Sequence, residues 1–255
     1  MKLFLKQNPH LLFVEIDKSK NLALVDSSAY IQKLIQVFGT DKFIKLSRNP
    51  VEQDIINFQN MIKTITPFLS TSNSKRIRPY HSIKKGHGIL KVHKIGNPLR
   101  PIINSKFSIT SGAEIYLLEI LKPLVKQCSF SLTSTMAFTH KFKEIAPKYT
   151  KFYEVVTVDA VNLFTSINVP RVVEFIVEKI YSNPTAYFSP NSNENVTFPP
   201  RHIFHAFMLN VLLKYSSFST LSGFYRQSEG LSMGSKISPA ISTIFFKYDG
   251  ILSYK

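Results

Sequence analysis

The sequence has one cysteine, Cys128, so it can form neither an internal disulfide nor a zinc site that needs several cysteines. A lone cysteine is typical of a reducing intracellular compartment. No stretch approaches the roughly 18 uninterrupted apolar residues of a membrane-spanning helix, so we predict a soluble protein without membrane contact. Near the N-terminus, the residues from Lys6 to His10 interrupt the first apolar run before it reaches the length of a signal peptide.

Acidic residues are also scarce, since 16 Asp and Glu stand against 32 Lys and Arg and give a net charge of +16. No acid occurs between Asp54 and Glu114, and Tyr80, His81 and His87 are interleaved with the cations of that window. These cations are Lys63, Lys75, Arg76, Arg78, Lys84, Lys85, Lys91, Lys94, Arg100 and Lys106. A solvated basic face would give the same pattern, but clustering in one acid-free window favours a phosphate-binding surface. Repeated Gly and Pro residues argue against a membrane-surface helix here.

Apolar periodicity predicts strands that alternate with helices, and this pattern is typical of an α/β or an α+β architecture. We predict the α+β class. The runs VEID and LALV predict a strand pair around the loop DKSKN, and AYIQKLIQVFG predicts a helix. GILKVHK and LRPIINS predict a hairpin with its turn at IGNP, and SFSTLSGFYRQSEG predicts another. The residues from Thr71 to Ser74 are expected to form a linker, and the helix in GAEIYLLEILKPLVKQC is expected to be interrupted at Pro123. PRVVEFIVEKIYS, RHIFHAFMLNVLLKYS and SKISPAISTIFF predict helices.

Three segments carry the strongest functional signal, namely LKVHKIGNPLRPIINS, VTVDAVNLFTSINVP and FYRQSEGLSMGSKISP. In this order they resemble the fingers hairpin, the catalytic palm strand and the nucleotide-pocket turn of Penelope-like retroelement reverse transcriptases. The family versions are similar to LPKIHKPGxPLRPI, VSFDVxxLFTNIP and QxxGxxMGSPLSP. Upstream, EIDKSKNLALVDSSAYIQKL resembles the family pattern DKGxxxVVxDxxxY. No GxSxG, P-loop, HExxH or dinucleotide pattern competes with this interpretation.

The resemblance implies a role for Asp159 as a catalytic, metal-binding carboxylate at the tip of a palm strand. Two Mg²⁺ ions about 3.5–4 Å apart would then stabilise the attacking and leaving oxygens of phosphoryl transfer. Phe164 matches the aromatic residue that lies beneath the sugar and rejects a ribose 2′-hydroxyl. A buried strand that ends in a polar turn is the plain structural alternative for VTVDAVNLF.

The resemblance also implies a nucleotide pocket. Lys94 and Arg100 match the basic pair that contacts the incoming triphosphate, and arginine can bind phosphate through two hydrogen bonds. Gln227 and Met233 would shape the pocket, while Gly234 would let the backbone approach primer–template or nucleotide closely. Lys236 departs from the family, which has proline there. The predicted nucleic-acid-binding residues are Lys75, Arg76, Arg78, Lys84, Lys85 and Lys91.

The sequence contains no YxDD motif, which supplies the remaining metal ligands in the family, and Tyr248-Asp249 is expected to be a helix end. We therefore expect a partial right-hand polymerase, truncated before YxDD and the thumb, that is inactive alone. Its predicted parts are an N-terminal extension (1–72), fingers (73–152) and partial palm (153–255). The expected partners are RNA template, DNA primer and dNTP, and family behaviour implies a nuclear location. A non-catalytic RNA- or DNA-binding protein derived from a retroelement remains the alternative.

Overall fold

The computed structural model describes residues 2–128, 134–148, 162–188 and 198–247, and these form a mixed α and β protein. The strands are β1 (Leu11–Glu15), β2 (Leu22–Asp26), β3 (Phe43–Leu46), β4 (Lys84–Leu90), β5 (Leu99–Asn104), β6 (Ser217–Thr220) and β7 (Gly223–Gln227). The first helices are α1 (Lys2–Gln7), α2 (Ser27–Phe38), α3 (Val51–Ile65), α4 (Thr71–Arg76) and α5 (Ser111–Lys126). The later ones are α6 (Thr135–Ile145), α7 (Leu163–Ser166), α8 (Val169–Ser182), α9 (Arg201–Leu209) and α10 (Ser238–Phe245).

A five-stranded sheet in the order β3-β7-β6-β4-β5 forms the centre of the described structure. The β4–β5 and β6–β7 pairs are antiparallel hairpins, and β6 joins the two hairpins by pairing in parallel with Lys84 and Lys85 of β4. The β1–β2 hairpin forms a separate two-stranded sheet. The five strands come from residues 43–46, 84–104 and 217–227. The first and third of the predicted segments therefore contribute to one sheet, whereas the described part of the second, residues 162–170, contains helix α7 and the start of α8.

The buried side chains form two hydrophobic clusters. The larger one joins α3, α5, α8, α9 and α10, with Phe58, Leu117, Val173 and Phe204 all fully shielded from solvent. The smaller one packs α2 against the sheet, where the rings of Phe38, Phe43, Phe218 and Tyr225 contact one another at centroid distances of 5.0 to 5.8 Å. Burial of such rings is the main favourable contribution to folding.

The α+β prediction is confirmed, as are the β1–β2 pair, both longer hairpins and helices α2, α8, α9 and α10. The predicted linker from Thr71 to Ser74 is wrong, because these residues begin helix α4 and the Ser70 side chain caps it by accepting from the Asn73 amide. The predicted interruption at Pro123 is also wrong, since α5 continues through it to Lys126. Helix α9 is followed by a π-helical turn at Asn210–Lys214.

Tyr30 of α2 stabilises the β4–β5 hairpin through the backbone of Gly88. Its hydroxyl donates to the Gly88 carbonyl at 3.0 Å and accepts from the Gly88 amide at 2.9 Å. Strand β6 pairs only with the first two residues of β4, so this hydroxyl substitutes for a neighbouring strand. Burial raises the pKa of Tyr30, which keeps the hydroxyl protonated as a donor.

We expect Tyr30→Phe to lower the free energy of unfolding by about 1–3 kcal/mol, because the change leaves two buried backbone groups without a partner. Urea unfolding followed by circular dichroism measures this cost. Tyr80→Phe is the matched control, since Tyr80 is 47% exposed and loss of its hydroxyl should change stability by less than about 0.5 kcal/mol. Equal stability of Tyr30→Phe and the control would contradict the role given to Tyr30.

Candidate nucleic-acid interface

The turn formed by residues 228–236, here called the glycine turn, contacts two other segments that the sequence singles out. The Leu231 amide donates to the Phe164 carbonyl at 2.7 Å, and the Ile103 amide donates to the Met233 carbonyl at 2.6 Å. Phe164 is half-buried on the short helix α7, and Ile103 lies in β5, three residues after Arg100. Segments around residues 103, 164 and 232 therefore meet, although more than 60 residues separate each from the next.

Two glycines allow this close approach. Gly230 has a φ of +68°, and a Cβ at this position would lie 2.5 Å from the Thr165 Cα. Gly234 has a φ of +99°, and its Cβ would lie 3.0 Å from the Ile103 carbonyl oxygen. Gly234 thus permits contact with strand β5, which is a structural reason for glycine independent of any bound nucleic acid.

Gln227, the last residue of β7, directly precedes the glycine turn and is 2% exposed. Its amide nitrogen donates to the Glu229 carbonyl at 2.7 Å, and its amide oxygen accepts from the Ser232 hydroxyl at 2.7 Å. Both ends of the side chain are therefore used to shape the turn. Met233 is half-buried beside it, and Lys236 is exposed.

A buried carboxylate that the motifs did not indicate connects the glycine turn with the hairpin. Glu114 of α5 is 1% exposed and accepts hydrogen bonds from Ser105, Thr110 and Ser235 at 2.7 to 2.8 Å. It also forms an ion pair with Lys84 at 3.0 Å. Burial alone would raise the pKa of Glu114, but Lys84 and the hydroxyl donors outweigh burial and hold this pKa below its ordinary value.

This ion pair places Lys84 in the interior, since its side chain is only 3% exposed. Lys84 was predicted to bind nucleic acid, and its burial leaves it out of the surface that a polyanion could contact. The other predicted cations remain at the surface. Lys75, Arg76, Arg78 and Lys85 are exposed and Lys91 is half-buried. Arg76 also forms an ion pair with Glu119.

The predicted triphosphate-binding pair lies on the β4–β5 hairpin. Arg100 Nη2 is 3.1 Å from Oδ2 of Asp17, whose side chain is 5% exposed, and Lys94 is exposed in the hairpin loop. Partial burial, followed by the charges of Arg100 and Lys94, lowers the pKa of Lys91. These cations are crowded at one end of the hairpin, where an anion would relieve their mutual repulsion.

The tip of the same hairpin is held from outside by α2. Lys33 Nζ donates to the carbonyl oxygens of Gly96 and Asn97 at 2.7 and 2.9 Å. Nothing in the hairpin sequence points to Lys33 or Asp17, because both lie more than 60 residues upstream of the groups they contact.

A cavity of about 520 Å³ lies beside α7 and the glycine turn, and Lys42, Thr165, Asn168, Leu213 and Glu229 are among its lining residues. Lys42 Nζ donates to the Thr165 carbonyl at 3.1 Å. This hydrogen bond connects the residue just before β3 with helix α7, which carries Phe164.

Asp159, the predicted catalytic and metal-binding residue, lies outside the described residues, as does Tyr248-Asp249. Within the described ranges no group of three or more His, Cys, Asp or Glu side chains could hold a metal ion. The donor set for Mg²⁺ therefore stays a prediction from the sequence.

Comparison with protein-family models gave no match, and comparison with curated proteins gave none either. Among the described helices, none combines the length and apolar character that a membrane span requires.

Proposed function

We propose that this chain supplies the fingers and part of the palm of a reverse transcriptase similar to those of Penelope-like retroelements. Its role would be to hold an RNA template, a DNA primer and an incoming dNTP, with a nuclear site of action. The observation that supports the proposal is the convergence of the hairpin strand β5, Phe164 and the glycine turn through two short backbone hydrogen bonds. These are the segments that a polymerase of this kind brings together around a nucleotide.

The residues have distinct parts in this proposal. Arg100 and Lys94 bind the triphosphate, and the buried carboxylate of Asp17 attracts the Arg100 guanidinium across their 3.1 Å contact. Phe164 supports the sugar of the nucleotide. Gln227 stabilises the glycine turn through its hydrogen bonds to Glu229 and Ser232. Asp159 would hold Mg²⁺, which supplies charge neutralisation for phosphoryl transfer. One such carboxylate does not hold two ions, so the 255 residues alone should extend a primer only at background rate.

Template-dependent nucleotide binding tests the proposal without requiring catalysis. We expect the dNTP that matches the template to tighten binding of a primer–template about tenfold more than a mismatched dNTP, measured by fluorescence anisotropy with Mg²⁺. Arg100→Ala should abolish this difference. Arg201→Ala is the matched control, because Arg201 also pairs with one carboxylate, Glu174, but lies on α9.

The second candidate, a non-catalytic nucleic-acid-binding protein, is favoured by the exposed cations of the acid-free window. It predicts salt-sensitive RNA binding that is indifferent to dNTP identity, to Mg²⁺ and to Asp159→Asn. Equal effects of matched and mismatched dNTP would thus replace the first proposal with the second. Mg²⁺-dependent primer extension that Asp159→Asn abolishes would exclude the second.

A further inference from the structure

Two aromatic rings stand on the surface at the opposite end of the β4–β5 hairpin from its tip. Tyr80 is 47% exposed and Phe107 is 57% exposed, and their ring centroids lie 5.6 Å apart at an interplanar angle of 67°. The loops that carry them are tied together, because the Ile109 amide donates to the Ser82 carbonyl at 2.7 Å. This hydrogen bond keeps the two loops, and with them the two rings, next to each other.

Burial in the core does not explain a phenylalanine at position 107. The Ser108 amide closes a turn on the Ser105 carbonyl at 3.1 Å, and Phe107 occupies the third position of that turn with a φ of +57°. Turns favour glycine or asparagine at such a position, and a non-glycine residue there is strained. The positive φ of Phe107 costs backbone stability. Because the side chain is largely exposed, burial of apolar surface offsets little of that cost. Strain of this kind is concentrated at functional sites.

The charge around the two rings is positive. Lys106 Nζ lies 5.1 Å from the Phe107 ring centroid, and Arg78 and His81 on the Tyr80 loop are exposed. Lys85 is exposed on β4, and it pairs with Asn104 of β5, which is two residues before Lys106 in the sequence. Exposed aromatic rings bordered by cations are the arrangement with which proteins bind single-stranded nucleic acid, since bases stack on the rings and phosphates contact the cations.

We propose that Tyr80 and Phe107 form a stacking platform for unpaired bases of a single-stranded nucleic acid, with Lys106 contacting the adjacent phosphate. This inference rests on the proposed function in that it supplies a contact for the unpaired strand. The platform would add a site outside the nucleotide pocket that contacts bases. The predicted cations alone would contact only phosphates.

Two labelled strands test the platform: a 20-unit oligouridine and an abasic strand with the same number of phosphates. Wild-type protein should bind oligouridine about tenfold more tightly than the abasic strand, as expected for stacking of one or two bases. Phe107→Gly should remove most of this preference. Since glycine suits the positive φ, the melting temperature of Phe107→Gly should equal or exceed that of wild type, which separates lost binding from lost folding.

Further variants assign the contacts. Tyr80→Phe should keep the preference and Tyr80→Ala should lose it, whereas Phe138→Ala should bind as wild type. Phe138 is a matched control because it is 52% exposed on α6. Lys106→Gln should weaken both strands and reduce the slope of log affinity against log salt by about 0.7, while Phe107→Gly leaves that slope unchanged.

Unchanged oligouridine preference in both Phe107→Gly and Tyr80→Ala would overturn the platform and would leave the rings as a surface for another class of partner, such as a protein. Failure of the proposed polymerase function is distinguishable, because it abolishes the effect of matched dNTP without altering the preference for oligouridine over the abasic strand. A wild-type protein that binds neither strand would overturn both.

Discussion

Glu114→Ala is expected to lower the free energy of unfolding by about 3–5 kcal/mol, the range for breaking one side of a buried ion pair. The reason is that Lys84, 3% exposed, would keep a charge in the interior with no carboxylate beside it. The hydroxyls of Ser105, Thr110 and Ser235 would lose their acceptor at the same time. Urea unfolding of wild type and variant measures the difference.

Removing both charges is the informative control. Lys84→Met combined with Glu114→Leu should cost much less than the sum of the two single changes, since neither partner remains buried and unpaired. If Glu114→Ala cost the same with Lys84 present and with Lys84→Met, the two side chains would not be coupled. The ion pair would then not account for the stability effect.

The same carboxylate predicts an acid dependence of stability. Its folded pKa lies below the ordinary value of 4.5, so the ionised form is stabilised in the folded state. The contribution is fully present above about pH 4.5 and is lost as pH falls through the lower folded pKa. Wild-type stability should therefore fall more steeply below pH 4.5 than that of Glu114→Gln, which has no carboxyl to protonate there.

Local patterns in the sequence predicted much of the secondary structure. The hairpins follow from turn residues between β-rich runs, and α8 follows from Pro170 at its first turn and an apolar face that is buried from Val172 to Ile180. The prediction failed at α4, where TSNSKR has no apolar period. That helix forms because Ser70 caps it and because buried Ile77 follows it.

The positions of charged side chains were harder to predict than the elements that carry them. A run of cations in sequence is consistent with a solvated face, but β4 alternates its sides, so Lys84 points inward while Lys85 is exposed. The partner of Lys84, Glu114, lies 30 residues away on a helix, and only tertiary packing brings them together. Asp17 and Lys33 contact the hairpin for the same reason. Asp17 lies in the segment that resembles the family pattern DKGxxxVVxDxxxY, but nothing in that pattern indicates its contact with Arg100, and no local signal marks Lys33.

Gly230→Ala is the second change with a large expected effect, because it tests the contact between the glycine turn and the Phe164 helix. A Cβ at residue 230 would lie 2.5 Å from the Thr165 Cα and 2.7 Å from the Phe164 carbonyl oxygen, both backbone atoms that cannot rotate away. The backbone conformation adds about 1–2 kcal/mol for any residue other than glycine, and forced overpacking adds about 1–3 kcal/mol. We expect a total loss of about 2–5 kcal/mol in unfolding free energy.

Gly96→Ala separates these two contributions, since Gly96 has a similar φ of +75° but no atom within 4 Å of its Cβ position. It should cost only the conformational part, about 1–2 kcal/mol. The additional loss of unfolding free energy in Gly230→Ala then measures the cost of the close approach of the turn to Thr165.

If the two variants lose the same unfolding free energy, the turn can move away from α7 freely. The convergence that supports a nucleotide pocket would then be a loose contact instead of a fixed one. If the additional loss is present and matched dNTP no longer tightens primer–template binding in Gly230→Ala, the rigid placement of Phe164 against the glycine turn is what nucleotide selection requires.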